Sequence, residues 1–256
     1  VIDAYCTRVI CYHNITPAAF FDPTSPTYSL CDRGRVQLKE VIGNFHYFWG
    51  DSQFNLDELI SLGADPARCD VIPIIVPSPP QTRIGTQNPG VWLFVGRIAP
   101  NKCQADLIGL FAQAKKACPQ SAQHLHIVGG FEDGEPYHQE VVNAVKQYGL
   151  SDYITLTGKI TDEDREDYFQ RASVYVSMSR HEGFGVPLIE ASLRGLPVLA
   201  LAGTAIDETM GGSPGLARDA GELLQLTIRA HDDDAWRKDL LNTQLANTKR
   251  FGEEVV

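Results

Sequence analysis

The chain has 256 residues, 43% apolar and 21% charged, which suffices for one large domain or two ordinary ones with real cores. Its 32 acidic and 22 basic side chains leave a net charge of −10. That balance argues against broad nucleic-acid or anionic-membrane binding but leaves room for a local basic pocket that holds one small anion.

No apolar run approaches the ~20 residues of a membrane-spanning helix, and no stretch reads as a signal peptide. The chain opens at Val1 and enters a strand-like run almost at once, as a trimmed or partial chain would. Cys6, Cys11, Cys31, Cys69, Cys103 and Cys118 form no CxxC and no metal-ligand spacing. They read as separate thiols in a reducing compartment, which favours the cytoplasm.

In chain order, "YCTRVICY" (5–12) predicts a buried strand that ends at His13 and Asn14. Residues 30–45 carry apolar side chains at helical spacing. "HYFWGDS" (46–52) predicts a strand, residues 54–63 a helix stopped by Gly63, and "CDVIPIIV" (69–76) a third strand. This alternation predicts parallel pairing in an α/β layer. Residues 77–90 hold four prolines and two glycines, a stiff connection that sets the boundary between a unit over 1–76 and one over 91–256.

Beyond it the alternation restarts. Strands are predicted at 91–97, 124–130, 153–158, 174–179 and 196–201. Helices are predicted at 103–117, 135–149, 161–172, 186–195, 219–230 and 233–250. Thr161 is the N-cap of its helix, Pro187 lies in the first turn of its own, and Gly195 ends that one. The pattern is a doubly wound sheet, in which ligands bind at the carboxyl ends of the strands.

Three strand ends carry chemistry. In "FVGRIAPNK", Arg97 and Lys102 follow Gly96 and flank a helix start; they suit a diphosphate or are solvated surface charges. In "TGKI", Gly158, Lys159 and Ile160 let a flat ring approach the backbone, or form an ordinary turn. In "HEGFGVPLIEA", Gly183 and Gly185 permit tight backbone beside a helix start. Pro187 offers no amide there, so Val186 and Leu188 are the expected donors to a phosphate. Glu182 and Glu190 cannot ligate a phosphate, but each carboxylate can accept paired hydroxyls. Sugar, diphosphate and ribose have that layout. The alternative is a helix N-terminus with favourable acids, which fits Glu182 better than Glu190.

"EGFGVPLIE" resembles the E-x7-E element of family 4 glycosyltransferases, retaining enzymes of the GT-B fold. "FVGRIAPNK", "HIVGG", "ITLTGKI", "VYVSMSRHEGFGVPLIEASLRGLPVLA" and the loop "AIDETMGG" follow the family's order over residues 90–251. "ICYHNITPAAFF" resembles an N-domain strand of bacterial polysaccharide mannosyltransferases. The resemblance implies two Rossmann-like doubly wound domains. Set against that pattern, the N-terminal one would be incomplete here, without its first strands and glycine-rich loop, and the helix that crosses back would be missing or cut near Phe251.

It implies roles as well. Arg97 and Lys102 would bind the donor diphosphate and steady the leaving group. Glu182 would hold hydroxyls of the transferred sugar, helped by the Gly183, Phe184 and Gly185 backbone, and Glu190 would hold the ribose. His13 would lie across the cleft near sugar and acceptor; read from the residues alone, it caps a turn through Asn14. Same-face attack without a protein nucleophile is the implied mechanism. The donor would be a GDP- or UDP-linked hexose, with GDP-mannose the best match, and no cofactor or metal is expected. The acceptor would be a glycan or a lipid-linked saccharide in polysaccharide assembly. That would place the protein at the inner face of the membrane, although no amphipathic anchor is seen.

Asp232 and Asp234 in "HDDDAW" resemble a metal-binding pair but read better as a helix start. "GGFEDG" is no dinucleotide fingerprint. "DEDRED" (162–167) reads as a solvated helix start. A non-catalytic nucleotide-sugar-binding module is the competing function.

Overall fold

Strands form where β-branched and aromatic residues run together, because these side chains fit a pleated, half-buried surface. The computed structural model describes residues 6–79, 89–131 and 135–252. Two such runs make β1 (Val9–Tyr12) and β2 (Tyr47–Gly50), and the short β3 (Cys69–Val71) follows them. They pair in parallel in the order β1-β2-β3, with Ile10 opposite Phe48 and Cys11 opposite Trp49. The first helix, α1 (Pro26–Val41), starts ahead of the predicted apolar spacing. Ser25 caps it by accepting from the Tyr28 amide, and Pro26 stands in its first turn. Ser52 caps α2 (Gln53–Ser61) in the same way, and Gly63 (φ +111°) lies just past its end.

Both helices cover one face of this sheet, over Tyr12, Phe48, Leu38, Leu56 and Leu59. The other face is open, with Cys11, Tyr47 and Trp49 exposed. The expectation of a buried first strand is therefore corrected: of β1 only Tyr12 is buried. The predicted strand over 69–76 also stops early, at Val71. Pro73 has no N–H to give a ladder. Ile74 and Val76 pack instead against the second core, where the Val76 amide donates to Phe251 O at 2.9 Å. The connection over 77–90 lies mostly outside the described residues.

The second sheet has six parallel strands: β4 (Val91–Val95), β5 (His124–Val128), β6 (Ile154–Leu156), β7 (Val174–Ser177), β8 (Val198–Leu201) and β9 (Leu216–Ala217). Their order is β6-β5-β4-β7-β8-β9. The helices are α3 (Gln104–Ala117), α4 (Pro136–Gln147), α5 (Asp162–Arg171), α6 (Val186–Leu193), α7 (Ala205–Thr209), α8 (Ala220–Asp232) and α9 (Asp234–Thr248). Cores form on both faces, one around Trp92, Phe111 and Ile127, the other around Leu93, Tyr175 and Leu188. That explains why β4 and β7 read as continuous apolar runs rather than alternating ones.

Thr161 caps α5 as expected, accepting from the Asp164 amide, and Gly195 takes φ +68° after α6. "AIDETMGG", expected as a loop, contains the short helix α7. In "HDDDAW", Asp232 ends α8 and Asp233 caps α9 by accepting from the Trp236 amide. Asp234 pairs with Arg237. Asp232 and Asp234 thus belong to different helices, and their side chains are 61% and 85% exposed.

The order of the sheet places the site. From β4 the chain steps outward to β5 and β6, then returns to β7 on the other side of β4. The strand order therefore reverses between β4 and β7, and in open parallel sheets ligands bind at the carboxyl ends of the strands beside such a switch point.

Candidate functional site

The loop after β4 carries Arg97 and Lys102, and the loop after β7 carries His181 to Gly185. Two contacts hold these loops together. Buried Asn101 donates to His181 O at 3.2 Å, and the Arg180 amide donates to Asn101 O at 2.9 Å. Sequence reading missed Asn101, since the pairing spans 80 residues. Beneath these loops, Tyr175 on β7 donates to Val95 O at 3.1 Å and is fully buried. Burial raises its pKa far above the usual phenol range, and the charges of Glu182 and Glu190 push the same way.

The structure joins Lys102 to Glu182: Nζ lies 2.6 Å from Oε2, with both side chains mostly buried. Arg97 is exposed, and its carbonyl accepts from Gln104 Nε2 at 2.9 Å. Arg97 shares a cleft of about 420 Å³ with Lys159, Gly130 and Phe131, closed on the far side by Phe21 and Thr27 of the first unit. Gly158 (φ +68°) turns the chain behind Phe131. Lys102, Glu182 and Glu190 do not line that cleft. The anticipated cations therefore sit in two places, Arg97 with Lys159 and Lys102 with Glu182.

Gly185 (φ +92°) precedes α6 in a conformation that favours glycine. One expected donor is corrected here. The Leu188 amide donates to Gly185 O at 3.0 Å and is spent within that turn, which leaves Val186. Leu188 and Phe184 themselves are core side chains, Phe184 edge-on to Phe251 with ring centroids 5.3 Å apart. Gly183 is needed for a different reason: a Cβ there would meet Asn14 Cβ at 2.7 Å.

Glu190 faces Arg165 at 3.4 Å, and its carbonyl accepts from Arg194 Nη1 at 2.9 Å. Burial raises the Glu190 pKa above the usual carboxylate range, against the opposing charges of Arg165 and Arg194. Arg194 in turn holds Glu166 at 2.7 Å and lies over the Phe169 ring. "DEDRED" is thus more than a solvated helix start, because Arg165 and Glu166 turn onto α6. Nothing local in that acidic run separates these two residues from their solvated neighbours.

The two units meet at the glutamate loop. Asn14 has φ +75°, and its Nδ2 donates to Asn55 Oδ1 at 2.8 Å. That leaves Asn14 Oδ1 to accept from His181 Nε2 at 2.8 Å. Phe20 and Phe54 contact the His181 ring at 5.9 and 5.8 Å. Ser52 Oγ donates to Gly183 O at 2.8 Å, and the Gln53 amide donates to Glu208 at 2.6 Å. His13 therefore stands beside the Gly183 backbone, with Nδ1 2.9 and 3.0 Å from the two carboxylate oxygens of buried Asp51.

A pH dependence follows. Burial, with the charges of Arg35 and Lys102, lowers the His181 pKa to about 4. Burial and neighbouring His124 do the same to His126, also to about 4. Unfolded histidines titrate near ~6.5. Below that pH the unfolded state takes protons that the native state refuses, so stability falls as pH drops from about 6.5 towards about 4. Glu190 acts in the opposite sense, since its raised pKa makes the native state the better proton acceptor in the carboxylate range. His181→Gln keeps a donor for Asn14 and should flatten the loss between those limits. Denaturant titrations at several pH values check this; an unchanged slope would contradict it.

Among the described residues, no helix is long and apolar enough to cross a membrane, and no three His, Cys, Asp or Glu side chains cluster closely enough to hold a metal. All six cysteines are free.

Known proteins resemble this chain in sequence and in fold. A 113-residue stretch is 34% identical to mannosylfructose-phosphate synthase of Agrobacterium fabrum, covering 43% of this chain and 24% of that one. A 171-residue stretch is 28% identical to O-antigen chain mannosyltransferase B of Escherichia coli, covering 64% and 43%. The chain spans less than half the length of these curated relatives. Sucrose-phosphate synthase from Thermosynechococcus elongatus superposes with a TM-score of 0.76 at 22% identity, over 96% of this chain and 64% of that one. Anabaena Alr3699/HepE in complex with UDP and glucose does so at 0.74 and 20%, over 95% and 67%. These likenesses show the GT-B fold. The family model described as "Glycosyl transferases group 1" matches residues 82–211, just over half of the chain, and the chain belongs to that family.

Proposed function

We propose that the protein is a retaining, metal-independent glycosyltransferase that moves a hexose from a nucleotide sugar to a glycan or lipid-linked acceptor in polysaccharide biosynthesis. The observation that carries this reading is the Lys102–Glu182 pair at the switch point between β4 and β7. It puts a cation for the leaving diphosphate within one side chain's reach of a carboxylate that can accept sugar hydroxyls. Residues 91–256 act as the donor unit and residues 1–76 as part of the acceptor unit. Arg97 and Lys159 take the diphosphate and the edge of the base in their shared cleft. Glu190, kept in place by Arg165, takes the ribose. The charge that develops on the leaving diphosphate is the main quantity to stabilise, and Lys102 and Arg97 do so.

GDP-mannose is the proposed donor. Mannosyltransferase B supports it, as does a 32% identical stretch of the GDP-mannose:cellobiosyl-diphosphopolyprenol alpha-mannosyltransferase of Xanthomonas oryzae. Labelled donor incubated with acceptor glycans tests turnover. Glu182→Ala should lower kcat by about 10²–10³ and leave bare-nucleotide affinity unchanged, the size of effect seen when one group that stabilises a transition state is lost. Donor binding without any product would favour the non-catalytic module.

A further inference from the structure

His13, which the family resemblance points to, is paired with Asp51, which no sequence signal singles out. His13 lies just past β1 with its side chain 70% exposed; Asp51 follows β2 with its side chain 7% exposed. The two strands are adjacent and in register, with Tyr12 opposite Gly50, so the residues that follow them are brought side by side. A carboxylate only accepts hydrogen bonds, and both Asp51 oxygens lie within 3.0 Å of the same ring nitrogen. The proton of the neutral ring must therefore sit on Nδ1. Nε2 then carries a lone pair, points away from Asp51, and has no hydrogen-bond partner among the described residues.

The backbone of His13 is fixed beside the glutamate loop. The His13 carbonyl lies 3.2 Å from where a Cβ on Gly183 would be, so His13 adjoins the glutamate loop directly. Asn14 is pinned to His181 and Asn55, which fixes the backbone that carries His13. The charged and titratable groups around it are Asp51 from the end of β2, His181 and Glu182 from the loop after β7, and Lys102 paired with Glu182.

We propose that Asp51 is a positioning residue that locks His13 in the Nδ1–H tautomer, so that Nε2 accepts a hydrogen bond from a hydroxyl of the transferred sugar. An unpartnered imidazole favours the opposite tautomer, with the proton on Nε2, which would present a donor instead of an acceptor. The pair thus reads the sugar and not the nucleotide. This role rests on the nucleotide-sugar reading above; the tautomer itself does not.

The test is nitrogen-15 NMR of the imidazole groups in the full chain, with His13→Gln assigning the signal. In the wild type at pH 8 His13 should show a protonated Nδ1 and an unprotonated Nε2. An Nε2–H signal there would overturn the proposal before any variant is made. Asp51→Ala should move the proton to Nε2 and weaken GDP-mannose or UDP-glucose binding by about 2–10-fold, the range for one neutral hydrogen bond. Affinity for bare GDP or UDP should stay unchanged. Equal weakening for sugar-bearing and bare nucleotides would overturn the sugar-reading role. A correct tautomer in a chain that binds no nucleotide at all would instead fault the nucleotide-sugar reading.

Discussion

Gly129→Ala should cost at least about 3 kcal/mol, the upper end of the usual range for overpacking. That corresponds to roughly 6–12 °C in Tm for a chain of this size. Gly129 follows β5 with φ +154°, and a Cβ there would lie 2.1 Å from Gly96 O and 2.6 Å from Gly96 C. These are backbone atoms with no rotamer to yield. They are held in place as well, because the Gly96 amide donates to Val128 O at 2.9 Å and the Ile98 amide to Gly130 O at 3.0 Å. Making room would break both bonds and displace Arg97. The control is Gly149→Ala, where φ is +66° but nothing lies within 4 Å. It should cost only the left-handed penalty of about 1–2 kcal/mol. Thermal unfolding of both variants decides the point, and equal losses would refute the close-approach account.

The second large effect is on binding. Glu190→Ala should weaken nucleotide affinity by about 10–150-fold, which corresponds to one charge-assisted hydrogen bond of about 1.5–3 kcal/mol. The loss has two sources. The carboxylate would no longer accept ribose hydroxyls, and Arg165 would lose a partner at 3.4 Å in a mostly buried setting. Arg165→Ala separates them, since it spares the acceptor and frees Glu190 to move. It should weaken binding less than Glu190→Ala does. A larger loss for Arg165→Ala would make the arginine, and not the carboxylate, the nucleotide ligand.

Much of the second unit was legible because its signals are local. The alternation of strand and helix, Thr161 before α5, Gly195 after α6 and the glycines around Glu182 all act within a few residues. The first unit read less well. Its sheet is covered on one face only, so an apolar run such as "VICY" does not report burial, and Pro73 cut short a strand that composition favoured. The site's supports were the least visible. His181 meets Asn14 across 167 residues, Asn101 meets His181 across 80, and Arg194 meets Glu166 across 28. No periodicity encodes such pairings, which exist only once the sheet order has brought the strand ends together.

On the function proposed above, this chain holds a nucleotide whose ribose rests on Glu190. Calorimetric titration of this chain with GDP and with UDP, repeated on Glu190→Ala, tests it most directly. At least one nucleotide should bind, GDP more tightly than UDP, with affinity falling at least about 10-fold in the variant. Wild-type binding left unchanged by Glu190→Ala would contradict the ribose assignment, and no binding of either nucleotide would contradict the claim that this chain forms the donor site.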